Sequence, residues 1–197
     1  MGALSEIFVS VVRVKIFKLF LRKGAPEFFH IREATRQIGT EINAVRRELQ
    51  RLTKVGFLKR EPRGNRVYFR IRSEFNLYGD LLSLVARETG LGKDLLDNLS
   101  SLGNIKLIFF SKLFYLGRVS RPTEVDLFIL GKLDLNLLDK IIKREEKEIG
   151  REINYTVLTD EEFEFRKKRK DIFITNILLE PRIVVYGNDE KYTKLTI

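Results

Sequence analysis

Seven residues in one short stretch have the types and spacing to touch a nucleic acid. Thr40, Asn43, Ala44, Arg47, Gln50, Arg51 and Lys54 fall together when plotted at the helical period, and their face holds two arginines, a lysine, two side-chain amides and no acid. Such residues reach phosphates through charge and base edges in a major groove through paired hydrogen bonds. A solvated basic helix face is the plainer reading of the same pattern. A second candidate lies in the run TEVDLFILG, where Glu124 and Asp126 flank Val125. On a strand, alternation would put both carboxylates on one face, where hard oxygen ligands can hold Mg²⁺ against a phosphate. Acidic residues are also common at strand ends that bind nothing. His30, the single histidine, is given no chemistry.

The elements that must position these residues follow from local pattern. Ile42, Val45, Leu49 and Leu52 form the apolar stripe of a helix over 40–55, opposite the basic face. Thr40 is a good N-cap for it, and Gly56 stands where a C′ glycine is expected. Residues 32–38 make two helical turns before Gly39, so two helices meet at a tight glycine turn. Residues 57–61 and 66–71 flank Gly64 and Asn65 and read as a hairpin with a basic tip. Upstream, one helix is expected over 4–23, ended by Gly24 and Pro26, with a brief strand at 28–31. Residues 73–104 read as a helical connection with two apolar stripes, one through Phe75, Leu77, Leu81, Leu82, Leu84 and Val85, the other through Leu95, Leu96, Leu99 and Leu102. Further on, strands are expected at 105–110, 125–130, 152–158 and 183–186, and helices at 134–149, 160–170 and 172–179, in a mixed α/β unit.

Charge divides the chain in a similar way. Of 197 residues with net charge +10, residues 1–72 hold 17 Lys or Arg against 6 Asp or Glu, and residues 73–197 hold 20 against 21. A polyanion-binding module joined to a unit with a different task would show this asymmetry. There are no cysteines, which excludes disulfides and thiolate metal sites and favours a cytoplasmic setting. No run of eighteen apolar residues marks a membrane span, and the charged N-terminal stretch is not expected to be a signal peptide.

The run TEINAVRRELQRLTKVGFL leading directly into KREPRGNRVYFRI resembles the winged helix-turn-helix of ArsR-like regulators, over roughly residues 8–72. That resemblance implies that the helix carrying Thr40, Asn43, Arg47, Gln50, Arg51 and Lys54 enters a major groove of double-stranded DNA. Arg63, Asn65 and Arg66 of the wing would lie against the backbone or minor groove. It also favours a homodimer through the stripes of 73–104. The family's metal sites need Cys or clustered His, and neither exists here.

Residues 105–190 resemble the minimal nucleotidyltransferases of the DNA polymerase β superfamily, on the run FFSKLFYLGRVSRPTEVDLFILG. In that family a Gly-Ser turn holds nucleotide phosphates, and three carboxylates bring metals to the triphosphate. Here Lys112 and Leu113 stand at the Gly-Ser positions, Gly117 keeps a later loop glycine, Glu124 replaces the first Asp, Asp126 keeps the second and Asn154 replaces the third carboxylate. Asn supplies no charge for a second metal or a general base. The expectation is an α+β protein with three parts. They are a winged helix-turn-helix at 1–72, a helical linker at 73–104 and a nucleotidyltransferase-like domain at 105–197 with a vestigial site and no cofactor. The function expected is DNA binding in transcription regulation. The alternatives are an active Mg-dependent nucleotidyltransferase using Glu124 and Asp126 on a protein or RNA, and a nucleotide-sensing toxin–antitoxin component.

Overall fold

A computed structural model describes residues 3–22, 27–119, 121 and 123–193 of the chain. It is a mixed α+β structure in two compact units, Met1–Glu88 and Thr89–Ile197. Among the described residues no helix is long and apolar enough to cross a membrane.

The first unit runs α1 (Ala3–Ile7), α2 (Val11–Leu21), β1 (Phe29–His30), α3 (Ile31–Ile38), α4 (Ile42–Lys54), β2 (Leu58–Arg63), β3 (Arg66–Ile71) and α5 (Tyr78–Glu88). The expected helix over 4–23 is instead two helices. Ser10 takes an extended conformation, and its hydroxyl accepts the Arg13 N–H, so the second helix starts afresh. The helix end expected at Gly24 and Pro26 lies outside the described residues. Val45, Leu49 and Leu52 of α4 are buried as the stripe requires, whereas Ile42 is only half-buried. Phe17 meets Phe57 edge-on at 5.2 Å, and Phe20 lies 4.7 Å from Phe29, so aromatic contacts tie α2 to the chain on either side of the α3–α4 pair.

The turn between α3 and α4 differs from the sequence expectation in its cap. Gly39 closes α3 in the left-handed conformation (φ 60°), but Thr40 does not cap α4. Its hydroxyl turns back to accept from Lys15 Nζ at 3.2 Å, and Glu41 caps instead, its two carboxylate oxygens accepting the Asn43 and Ala44 N–H groups at 2.8 and 2.9 Å. A carboxylate suits that position, because the helix N-terminus is the positive end of the dipole. These two backbone N–H donors, with Arg47 and Arg46 nearby, hold the Glu41 carboxyl below its ordinary value of 4.5. A lowered pKa contributes stability above the unfolded-state value and loses it as pH falls through the folded-state one. Glu41→Gln should therefore lower the melting temperature at neutral pH and leave it unchanged below the carboxylate range. Paired melts at the two pH values check this, and equal losses at both would contradict it.

The hairpin forms as expected. β3 pairs antiparallel with β2 through Leu58–Ile71 to Arg63–Arg66 and on its other edge with β1. Gly64, at φ 56°, takes the first turn position, which in a two-residue hairpin loop favours glycine.

The second unit contains α6 (Gly90–Asp97), α7 (Leu99–Leu102), β4 (Gly103–Ser111), α8 (Lys112–Tyr115), β5 (Leu127–Leu133) and α9 (Leu135–Ile149). It continues with β6 (Tyr155–Leu158), α10 (Asp160–Lys168), α11 (Ile172–Leu179), β7 (Arg182–Gly187) and α12 (Asp189–Thr193). The sheet order is β6-β5-β4-β7, with β4 antiparallel to both neighbours and β5 parallel to β6. A parallel step needs a crossover, which α9 supplies, capped by Asp134 and ended at Gly150. Phe109 and Phe128 stack at 4.9 Å in the core, with Phe163 and Ile174 packed into the same cluster. Gly131 is required where β4 and β5 cross closely, since a Cβ there would lie 2.3 Å from the Asn104 carbonyl oxygen.

Of the helices in residues 73–104, α5 belongs to the first unit and α6 and α7 to the second. α5 packs on α2, and Glu88 at its end accepts from Lys18 Nζ at 2.7 Å and from the Leu4 N–H. α6 packs on α9. Leu81, Leu82, Val85, Leu95 and Leu102 are consequently buried inside the single chain, so these members of the two stripes are not open to a dimer partner.

Candidate nucleic-acid interface and acidic site

α4 presents its polar face to solvent. Asn43, Arg46, Arg47, Gln50, Arg51 and Lys54 are all exposed, and the helix is held from behind by a group that periodicity does not reveal. Glu48, 6% exposed, lies on the buried side and accepts from Arg13 Nε of α2 at 3.0 Å and from Arg51 Nη1 at 3.2 Å. A carboxylate so deeply placed requires such partners. It also draws Arg51 partly toward the helix's own side, although that side chain stays 67% exposed. Asn43 Oδ1 accepts from Arg46 Nη1 at 3.1 Å. Of the residues expected to face DNA, Thr40 is turned inward, and the rest of the helical set is outward.

The hairpin residues are arranged less simply. Arg63 lies over the Phe28 ring at 3.6 Å from its centroid, and its Nη2 is 3.5 Å from Glu61. Glu61 also pairs with Lys59 and, at 2.6 Å, with Arg70, which lowers its pKa. Arg63 is therefore stacked against the fold, a contact between residues distant in sequence. Asn65 and Arg66 are exposed. A cavity of about 450 Å³ lies between α4 and the hairpin, with Arg46, Gln50, Arg60 and Asn65 on its walls.

In the second unit the expected carboxylate pair is not arranged as a pair. β5 begins at Leu127, so Glu124 and Asp126 precede the strand and alternation does not apply to them. Glu124 accepts the Arg121 N–H at 2.9 Å and Arg118 Nη2 at 3.4 Å. Asp126 points into the fold with no exposure, and its Oδ2 accepts from Arg151 Nη1 at 3.2 Å and from the Asn154 N–H at 3.1 Å. Arg151 is itself fixed: Nη2 donates to the Arg118 carbonyl at 3.1 Å, and the guanidinium lies 4.9 Å from the Phe114 ring centroid. Asn154 donates through Nδ2 to the Arg121 carbonyl at 3.1 Å. Glu124, Asp126 and Asn154 are thus brought near one loop, but each is engaged by the protein. Among the described residues no group of three or more Asp, Glu, His or Cys is placed to hold a metal. Arg151 was missed because an arginine just past a helix end looks solvated, and its partner lies 25 residues earlier.

Comparison with protein-family models gives no match to this chain, and comparisons with curated proteins and with solved structures give none either.

Proposed function

We propose that this protein binds duplex DNA as a winged helix-turn-helix regulator, inserting α4 into the major groove. The nucleotidyltransferase-like second unit serves regulation or assembly rather than catalysis. The observation that carries the reading is the outward face of α4: Asn43, Arg47, Gln50 and Lys54 are exposed together beside a basic hairpin. Arginine and amides are the side chains that make paired contacts with guanine and adenine edges. The asymmetric charge supports the same partner, and a cysteine-free chain suits the cytoplasm. For the second unit, support comes from Arg151, which supplies to Asp126 the positive charge that a transferase would take from a divalent cation. Mg-dependent transfer would require this ion pair to open first.

The test is selection of binding sites from a random duplex pool with the full chain. Wild type should enrich a motif. Arg47→Ala should blur one or two positions of it, since a base-edge pair is worth about 1–3 kcal/mol of discrimination. Competition titrations with the motif and a scrambled duplex quantify the loss. Equal weakening on both duplexes would show that Arg47 touches only phosphate, and an unenriched pool would remove the reading.

A further inference from the structure

We infer that the cavity between the start of α3 and strand β3 is a phosphate-binding site, with Arg32, Arg36 and Arg66 as its anion-holding groups and His30 as a fixed hydrogen-bond donor. The cavity measures about 380 Å³ and is lined by these four residues with Glu33 and Tyr68. The sequence assigned no role to Arg32, Arg36 or His30.

The cavity is marked by gathering three exposed guanidiniums. The half-buried arginines of this chain each sit on a carboxylate: Arg13 on Glu48, Arg70 on Glu61, Arg151 on Asp126 and Arg182 on Asp189, all at 2.6–3.2 Å. Arg32, Arg36 and Arg66 are exposed, and among the described residues none of them has a carboxylate within 4.0 Å. The one acid on the rim, Glu33, accepts from Gln37 Nε2 at 3.1 Å. Three guanidiniums gathered on one concavity with the single carboxylate of Glu33 on its rim leave an excess of positive charge, and an anion reduces their mutual repulsion.

His30 adds geometry to charge. Its Nδ1 accepts the Arg32 N–H at 3.3 Å and caps α3, so in the neutral ring the proton sits on Nε2. Tyr68, 5.7 Å away ring to ring, lines the same cavity. Guanidinium, imidazole N–H and phenol are all donors, and oxygen-rich anions accept from all of them. Guanidinium forks match phosphate in particular. His30 also lines the neighbouring cavity that carries Arg46 and Arg60, so the cationic band continues toward α4.

Two sources can supply the phosphate: a phosphodiester of duplex DNA, in which case the site extends the reading of α4, or a small phosphorylated molecule, in which case it stands without that reading. The test uses the full chain with Arg36→Gln and Arg66→Gln combined. Its control is Lys132→Gln with Lys140→Gln, which removes equal charge from exposed positions of the second unit. One probe is a labelled random-sequence duplex followed by anisotropy across salt, and the other is inorganic pyrophosphate followed by calorimetry. Loss of about tenfold or more in duplex affinity, with a slope of log affinity against log salt shallower by about 1.8, establishes the site with a DNA source. Unchanged or absent duplex binding together with lost pyrophosphate binding establishes it with a small-molecule source; in the second case the α4 reading fails and the site remains. The inference is overturned if the double variant binds both probes like wild type, if the control loses as much, or if wild type binds neither probe.

Discussion

Arg151→Met should destabilise the second unit by about 3–5 kcal/mol, the usual cost of removing one partner from a buried ion pair. Asp126 has no exposure, and Arg151 supplies the guanidinium that offsets its charge, so the variant leaves a buried carboxylate without that counter-charge. The cost arises from the buried charge more than from the attraction lost. Asp126→Asn added to Arg151→Met should therefore recover much of it, whereas two independent losses would simply add. Urea titrations of wild type, both single variants and the double variant measure the coupling. A single-variant loss under about 1 kcal/mol, or additive losses, would show that the pair is solvated.

The second large effect is on affinity. Raising salt from about 50 mM to about 200 mM should weaken duplex binding on the order of a thousandfold, given roughly six phosphate contacts at about 0.9 each in the log–log slope. The exposed basic side chains of the first unit include Arg36, Arg46, Arg47, Lys54, Arg60 and Arg66. They lie in the part of the sequence where 17 basic residues meet 6 acidic ones. Anisotropy of one labelled duplex across that salt range reads the slope directly. A slope shallower than about 2 would leave too few phosphate contacts for α4 to be seated in a groove.

What was legible in the sequence was local. The stripe of α4, the glycine at position 56 with φ 85° and the hairpin over Gly64 and Asn65 depend on neighbours a few residues apart, and each is found where expected. Where distant groups compete, local pattern fails. Ser10 divides an apolar run that periodicity alone would keep whole. Thr40 is the better cap by propensity, but Lys15 and the Ile38 carbonyl engage its hydroxyl, so Glu41 takes the position. The stripes of 73–104 are real, and α2 and α9 pack on the helices that carry them, so that Leu81, Leu82, Val85, Leu95 and Leu102 are buried within the chain. Arg63 reads as a free wing-tip cation, and Phe28, 35 residues earlier, stacks beneath it. Asp126 and Glu124 read as a strand pair, but β5 starts at Leu127, past both of them, and Arg151 takes the buried member.

The claim on which the account rests is that α4 and the hairpin form the DNA-contacting surface. Amide chemical-shift mapping of the full-length protein, titrated with the duplex selected from the random pool, tests it most directly. The account predicts the largest shifts in residues 43–54 and 63–68, with weaker ones at 30–36 and none clustered around 118–126 and 151–154. Shifts concentrated at Arg118, Glu124, Arg151 and Asn154, with α4 unmoved, would contradict it and return the nucleic-acid site to the second unit.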